Sequence, residues 1–241
     1  MKEATGIIPA RYGSRRFPGK PLAEILGKPM IQWVYEGAKQ ANSLKNVIVA
    51  TDDDRIVQAC NAFGAEVWMT SPSHSSGTDR VAEVACQIES PIIINIQGDE
   101  PLLRGESLDR LVDALQDEST PMATLAIKVD DLSLIVDTNI VKVITDNDGF
   151  ALYFSRSGLP FQASDYFLQH VGIYGYQQEF LLEFSQWPPS RLEKAEKLEQ
   201  LRALEKGNRI KVLLSPHSTL SVDTPQDIIK VENFMKKDTH G

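Results

Sequence analysis

Short, almost unbroken apolar runs alternate along the first hundred residues with stretches whose apolar positions recur every three or four. The runs Gly6–Ala10, Asn46–Thr51, Glu66–Met69 and Pro91–Gln97 have the pattern of strands buried on both faces. Between them, Asp54 to Phe63 predicts a helix stopped by Gly64, and Thr78 reads as the N-cap of a helix reaching about Ile88. Four strand-then-helix units predict an α/β fold: a three-layer, mostly parallel, twisted sheet with helices on both faces.

The second half reads differently. Met122–Val129 and Val141–Thr145 predict strands, and Asp146-Asn147-Asp148-Gly149 predicts a hairpin turn into Phe150–Ser155. Gln169–Tyr176 predicts a further strand, followed by a helix that Pro188-Pro189 ends. Leu192–Lys206 predicts one charged helix, with Leu198, Leu201 and Leu204 inward and Gly207 closing it. Arg209–Leu214 is the last expected strand, Ser218–Val222 is strand-like, and Thr224-Pro225 opens a C-terminal helix through Lys236. With no linker or repeat, residues 1–241 are expected to form one domain. Residues of about 122–155 are its small antiparallel extension.

Composition narrows the class. Apolar residues make up 42% and charged residues 24%, ordinary for a chain that buries a full core. The N-terminus runs straight into a strand and no apolar run approaches a membrane span, so a cytoplasmic, non-membrane protein is expected. Cys60 and Cys86 sit in helical patterns without metal-like spacing and are expected to be packing residues. A net charge of -8 argues against nucleic-acid partners.

That acidity makes the loop after the first strand an exception. Arg11, Arg15, Arg16 and Lys20 lie there, and no acidic residue occurs from position 4 to 23. Gly13 and Gly19 let backbone amides approach an anion, so the loop suits phosphate. Five residues separate the two glycines and Lys20 precedes Pro21, which excludes the P-loop; the dinucleotide fingerprint is absent too. A solvated basic loop is the alternative.

In open α/β sheets ligands bind at the carboxyl ends of strands. Asp99, after a buried run, is placed there as a magnesium ligand or as a helix cap, and Asp223 before Thr224-Pro225 has the same two readings. His74 to Arg80 leads into a helix N-terminus that could take a nucleobase edge or a phosphate, or serve only as a cap. His170 and Tyr174, four apart on a strand, share a face with Tyr176, a pattern more often structural. By composition Glu199-Gln200 belongs to a solvated helix face.

Ordered motifs nearly end to end resemble the 3-deoxy-manno-octulosonate (Kdo) cytidylyltransferases, or CMP-Kdo synthetases. They include Ile8-Pro9-Ala10-Arg11-Tyr12-Gly13-Ser14, Phe17-Pro18-Gly19-Lys20-Pro21-Leu22, Ser76-Gly77-Thr78-Asp79-Arg80 and Gln97-Gly98-Asp99-Glu100-Pro101. Tyr153-Phe154-Ser155-Arg156, His170-Val171-Gly172-Ile173-Tyr174, Leu198-Glu199-Gln200-Leu201-Arg202 and Val222-Asp223-Thr224-Pro225 continue the series. The resemblance implies a nucleotide-diphospho-sugar transferase fold and a homodimer, for which the antiparallel extension is the expected contact. It also implies transfer of CMP from CTP to Kdo or its 8-amino-8-deoxy analogue, with pyrophosphate released, for lipopolysaccharide or capsule. Residue by residue, it implies that Arg11, Arg16 and Lys20 hold the triphosphate beside Pro9 and Ala10. Ser76, Gly77 and Arg80 would lie near the cytidine, and Gln97, Arg156, His170, Tyr174, Glu199 and Gln200 in the sugar pocket. Asp99 and Asp223 would bind Mg2+, and with Lys20 and Arg16 would form the catalytic set. A cytidylyltransferase for another acidic sugar, sialate-type, and a non-catalytic nucleotide-binding regulator are the competing readings.

Overall fold

The computed structural model describes residues 2–13, 17–217 and 219–238. The chain runs β1 (Ala4–Ala10), β2 (Glu24–Ile25), β3 (Lys28–Pro29), α1 (Met30–Ala38), β4 (Leu44–Thr51), α2 (Asp54–Ala62), β5 (Glu66–Met69), α3 (Gly77–Ala85), β6 (Ile92–Asn95) and α4 (Gly105–Ala114). It continues through β7 (Met122–Val129), β8 (Lys142–Thr145), β9 (Ala151–Ser155), β10 (Phe167–Gln177), α5 (Gln178–Gln186), α6 (Arg191–Glu196), α7 (Leu201–Glu205), β11 (Ile210–Leu214) and α8 (Pro225–Asp238).

The sheet order is β11-β7-β10-β6-β1-β4-β5, parallel throughout except for β10, which runs antiparallel to β6 and β7. Successive side chains leave a strand on opposite faces, so the uninterrupted apolar runs feed two cores. Ile8, Val47, Val49, Ile92 and Ile94 pack under α1, α2 and α4. Ile7, Ile48 and Ile93 pack on the other side with α3, α5 and α7. The three-layer, mostly parallel α/β expectation holds.

Beyond β1, the chain builds β4 and β5 to one side and β6 to the other. The sheet therefore has a topological switch point between β1 and β6, where ligand crevices open at the carboxyl ends. Gly98 makes the crevice possible: a Cβ there would stand 3.2 Å from the Pro9 carbonyl oxygen.

Several elements differ from the expectation. The helix after the serine-rich loop starts at Gly77, not after Thr78, because Ser76 and Asp79 form a reciprocal capping box, and it ends at Ala85 rather than Ile88. The single helix expected over Leu192–Lys206 is broken into α6 and α7 by Lys197, whose backbone is left-handed at φ 56 and ψ 46. Residues 219–222 form no strand, and Ser218 lies outside the described residues. Instead the fully buried Val222 packs with Ile25, Met30 and Val231, and its N–H donates to the Asp99 carbonyl at 2.9 Å. The antiparallel extension is smaller than residues 122–155, because β7 pairs with β11 and β10 in the main path of the sheet and only β8–β9 lie off that path, joined to it through β10. Cys60 is a buried packing residue, whereas Cys86 is exposed at the end of α3 rather than in the core.

Candidate active site

Four segments meet at the switch point. The end of β1 supplies Pro9, Ala10 and Arg11, and the turn at Gly19 (φ 72) delivers Lys20, with the Gly19 N–H bonded to the Tyr12 carbonyl at 2.9 Å. The loop after β6 supplies Gln97, Gly98 and Asp99, and the anchored Val222 presents Asp223. With Ser76, Gly77 and Arg80 from the start of α3, these residues line a cleft of about 280 Å³. Arg16, expected in the same loop, lies outside the described residues.

One ammonium ties the cleft together. Lys20 Nζ donates to Asp99 Oδ2 at 2.6 Å and to the Val222 carbonyl at 2.9 Å, and stands 3.6 Å from Asp223 Oδ1. Two carboxylates from distant parts of the chain thus converge on one cation. No cluster of three or more His, Cys, Asp or Glu suited to a metal occurs among the described residues. A carboxylate pair suits a magnesium ion that draws its other oxygens from phosphate and water. Next to them, Glu100 is buried and its Oε2 has no hydrogen-bond partner. Burial, reinforced by the neighbouring Asp99 charge, pushes its carboxyl up to about 8.

The α3 side of the cleft is preset by buried pairing. Arg80, only 4% exposed, donates to Asp52 Oδ2 at 2.8 Å and to the Thr70 hydroxyl. Its guanidinium is therefore fixed before any ligand arrives. Ser76 and Gly77 open α3, whose unpaired N–H groups favour an anion.

A larger cavity of about 770 Å³ adjoins this cleft and shares Ser76, Gly77, Gln97 and Asp99 with it. Its wall includes His170 and Tyr174 from β10 and Glu199 and Gln200 from the break between α6 and α7. An irregularity between Val171 and Tyr174 bends β10 here, and Thr124 stitches it by donating to the Ile173 carbonyl at 2.9 Å. His170 Nε2 is 3.0 Å from the Thr124 hydroxyl. Burial lowers the imidazole to about 3, which keeps it neutral near pH 7. The rings of His170, Tyr174 and Tyr176 follow one another at 5.4 and 6.1 Å, as expected for one face. Glu199 accepts from the Thr78 hydroxyl, and burial raises its carboxyl. The break that parts α6 from α7 takes Glu199-Gln200 off the solvated face that composition suggests. Arg156 is the exception among the expected sugar residues: it does not line the cavity. Its guanidinium donates to the carbonyls of Glu196 and Thr138, both at 3.0 Å.

A cytidylyltransferase family profile matches residues 5–210. The 3-deoxy-manno-octulosonate cytidylyltransferase of Geobacter sulfurreducens is 50% identical over 247 residues, covering 96% of this chain and 99% of its own. That of Syntrophobacter fumaroxidans is 52% identical, with 98% of each chain covered. The chain belongs to the 3-deoxy-manno-octulosonate cytidylyltransferase family. That family is one of nucleotidyltransferases. A solved CMP:2-keto-3-deoxy-manno-octonic acid synthetase complexed with CTP superposes with a TM-score of 0.93 at 44% identity, covering 98% of this chain and 99% of that one. A 4-diphosphocytidyl-2C-methyl-D-erythritol synthase from Anaerococcus prevotii, 14% identical with a TM-score of 0.67, shares the fold.

Several lining residues escaped the sequence reading of this cytidylyltransferase. His74 lines the smaller cleft, while Glu100, Asn139, Lys194, Lys197 and Thr219 line the larger cavity. Glu100 sits inside the Gln97–Pro101 motif and His74 opens the candidate loop His74 to Arg80, so membership of those segments could have flagged them. Asn139, Lys197 and Thr219 reach the cavity through turns and loops, and Lys194 through the placement of α6, which no local pattern encodes.

Proposed function

We propose that this protein transfers CMP from CTP to an acidic sugar, Kdo or its 8-amino-8-deoxy analogue, releasing pyrophosphate. CTP occupies the smaller cleft and the sugar the larger cavity. The observation that carries this reading is the wall the two share: a donor and an acceptor lying side by side would meet at Asp99. Arg11, Arg16 and Lys20 hold the triphosphate, while Ser76, Gly77 and Arg80 border the cytidine. Gln97, His170, Tyr174, Glu199 and Gln200 border the sugar, with Arg156 behind the wall.

Asp99 and Asp223 would hold Mg2+, which neutralises phosphate charge and makes a coordinated hydroxyl more acidic. Before it binds, Lys20 keeps the two carboxylates together. With CTP in place, the lysine is freed to neutralise charge growing on the departing pyrophosphate. The acceptor's anomeric hydroxyl attacks the α-phosphorus in line, the bond to the β-phosphate oxygen breaks, and the hydroxyl proton leaves to solvent. Positioning and charge stabilisation supply most of the acceleration in such transfers.

The subunits pair as a homodimer through the β8–β9 extension and the segments flanking it. Exposed Leu134, Val136, Leu152 and Phe161 give that region an apolar surface to cover.

Pyrophosphate release from CTP and Mg2+ tests the activity, with octulosonate, its 8-amino analogue and sialate offered in parallel. Release with an octulosonate and not with sialate is expected. Release with sialate alone would transfer the protein to the sialate reading, and no release with any sugar would leave a binding protein.

A further inference from the structure

The larger cavity offers few counter-charges to the occupant assigned to it. Its wall carries Asp99, Glu100, Glu193 and Glu199, whereas the acceptor is itself an acid. Asp99 is paired with Lys20 and Glu193 with Arg202, both at 2.6 Å, and none of the four acidic side chains offers a counter-charge to an acid. Arg156 does not line the cavity, its guanidinium donating instead to two backbone carbonyls outside it. Among the lining residues, the permanent cations are Lys194 and Lys197, both exposed at the corner where α6 ends.

Lys197 stands there at a backbone cost. It is left-handed at φ 56, and the other left-handed positions of the described chain are glycines, Leu26 excepted. A glycine would turn this corner without a Cβ penalty. A side chain retained in a strained conformation beside a cavity points to a use for that side chain. The same turn swings Leu198, Glu199 and Gln200 into the wall. Among the described residues no carboxylate forms a salt bridge with the Lys197 ammonium, which leaves its charge available to a ligand.

We propose that Lys197 is a specificity-determining residue that engages the carboxylate of the acidic acceptor at the cavity mouth, with Lys194 adding to the same positive field. The inference rests on the larger cavity being the acceptor site.

The test is steady-state pyrophosphate release with Mg-CTP saturating and octulosonate varied, then the reverse, for wild type, K197Q, K197R and K197G. K197Q and K197G are expected to raise the acceptor KM roughly three- to tenfold and to leave the KM for CTP unchanged. Both variants should also weaken the salt dependence of the acceptor KM, because a screened attraction has been removed. K197R should restore most of the affinity. K197G accepts the left-handed backbone, so its melting temperature should match or exceed wild type, separating lost charge from lost structure. An unchanged acceptor KM in K197Q and K197G, or a shift in the KM for CTP instead, overturns the proposal. Absence of turnover in the wild-type protein would overturn the functional reading beneath it, a failure visible before any variant is compared.

Discussion

Lys20, Asp99 and Glu100 are close neighbours with opposite electrostatic fates. Asp99 is paired at 2.6 Å with the lysine, while Glu100 is buried with an unpartnered oxygen. Replacing Asp99 with Asn keeps the side chain's size and leaves Lys20 its bond to the Val222 carbonyl. We therefore expect kcat to fall about 100-fold or more, with the KM for CTP changing only a few-fold. A variant with near-normal kcat would remove Asp99 from the metal site. Glu100 makes a second prediction. Burial pushes its carboxyl up from the ordinary 4.5 to about 8. Between those values the folded protein keeps a proton that the unfolded chain has released, so stability falls as pH rises through the window and levels off above it. Glu100→Gln should flatten that slope, which denaturant midpoints at about pH 6 and about pH 9 without Mg2+ would read as a difference on the order of a few kcal/mol. A variant that keeps the wild-type slope would assign it to other groups. The motif around Asp99 was legible in the sequence. The orphaned oxygen of Glu100 was not, because burial depends on what the rest of the chain lays over it.

At the scale of elements, the corner between α6 and α7 carries the largest departure from expectation. Leu198, Leu201 and Leu204 keep a helical spacing across the break, and that spacing is blind to one residue with reversed φ. Arg202 holds the two helices together. It pairs with Glu193 at 2.6 Å, stands 3.6 Å from Glu199 and donates to the Trp187 carbonyl at 3.1 Å. Replacing it with Met strands Glu193, which is only 13% exposed at its side chain. Arg202→Met should cost about 3 kcal/mol in chemical denaturation. It should also raise the acceptor KM more than the KM for CTP, because the cleft under α3 is held separately by Arg80 and Asp52. Equal effects on both substrates would mean that the corner supports the whole site. The start of α3 shows the converse: Ser76 and Asp79 carry their own local capping signal, which sets the helix start two residues before the one Thr78 would give.

For the whole molecule, the β8–β9 hairpin, joined to the sheet through β10, leaves Leu152 59% exposed, while Val136 and Phe161 in adjoining segments are 76% and 92% exposed. Apolar groups this open are expected to be covered by a second copy. The double variant Leu152→Asp, Phe161→Asp should shift the protein from dimer to monomer in sedimentation velocity. Unaltered sedimentation would place the subunit contact elsewhere.

Local patterns in the sequence were enough to determine the buried strands, their alternation with helices, and a cationic, glycine-bearing loop at the end of β1. Those properties reside in consecutive residues, and their physical signals, periodicity and turn chemistry, are local too. Tertiary structure alone decided that β10 runs antiparallel between β6 and β7, presenting His170 and Tyr174 to a cavity. It also decided that Asp223, 124 positions beyond Asp99 in the sequence, reaches the same lysine, and that Arg156 turns away from the cavity. These outcomes come from pairings between distant segments, whose partners are chosen by how the sheet and its two cores close. No short window of sequence contains that choice.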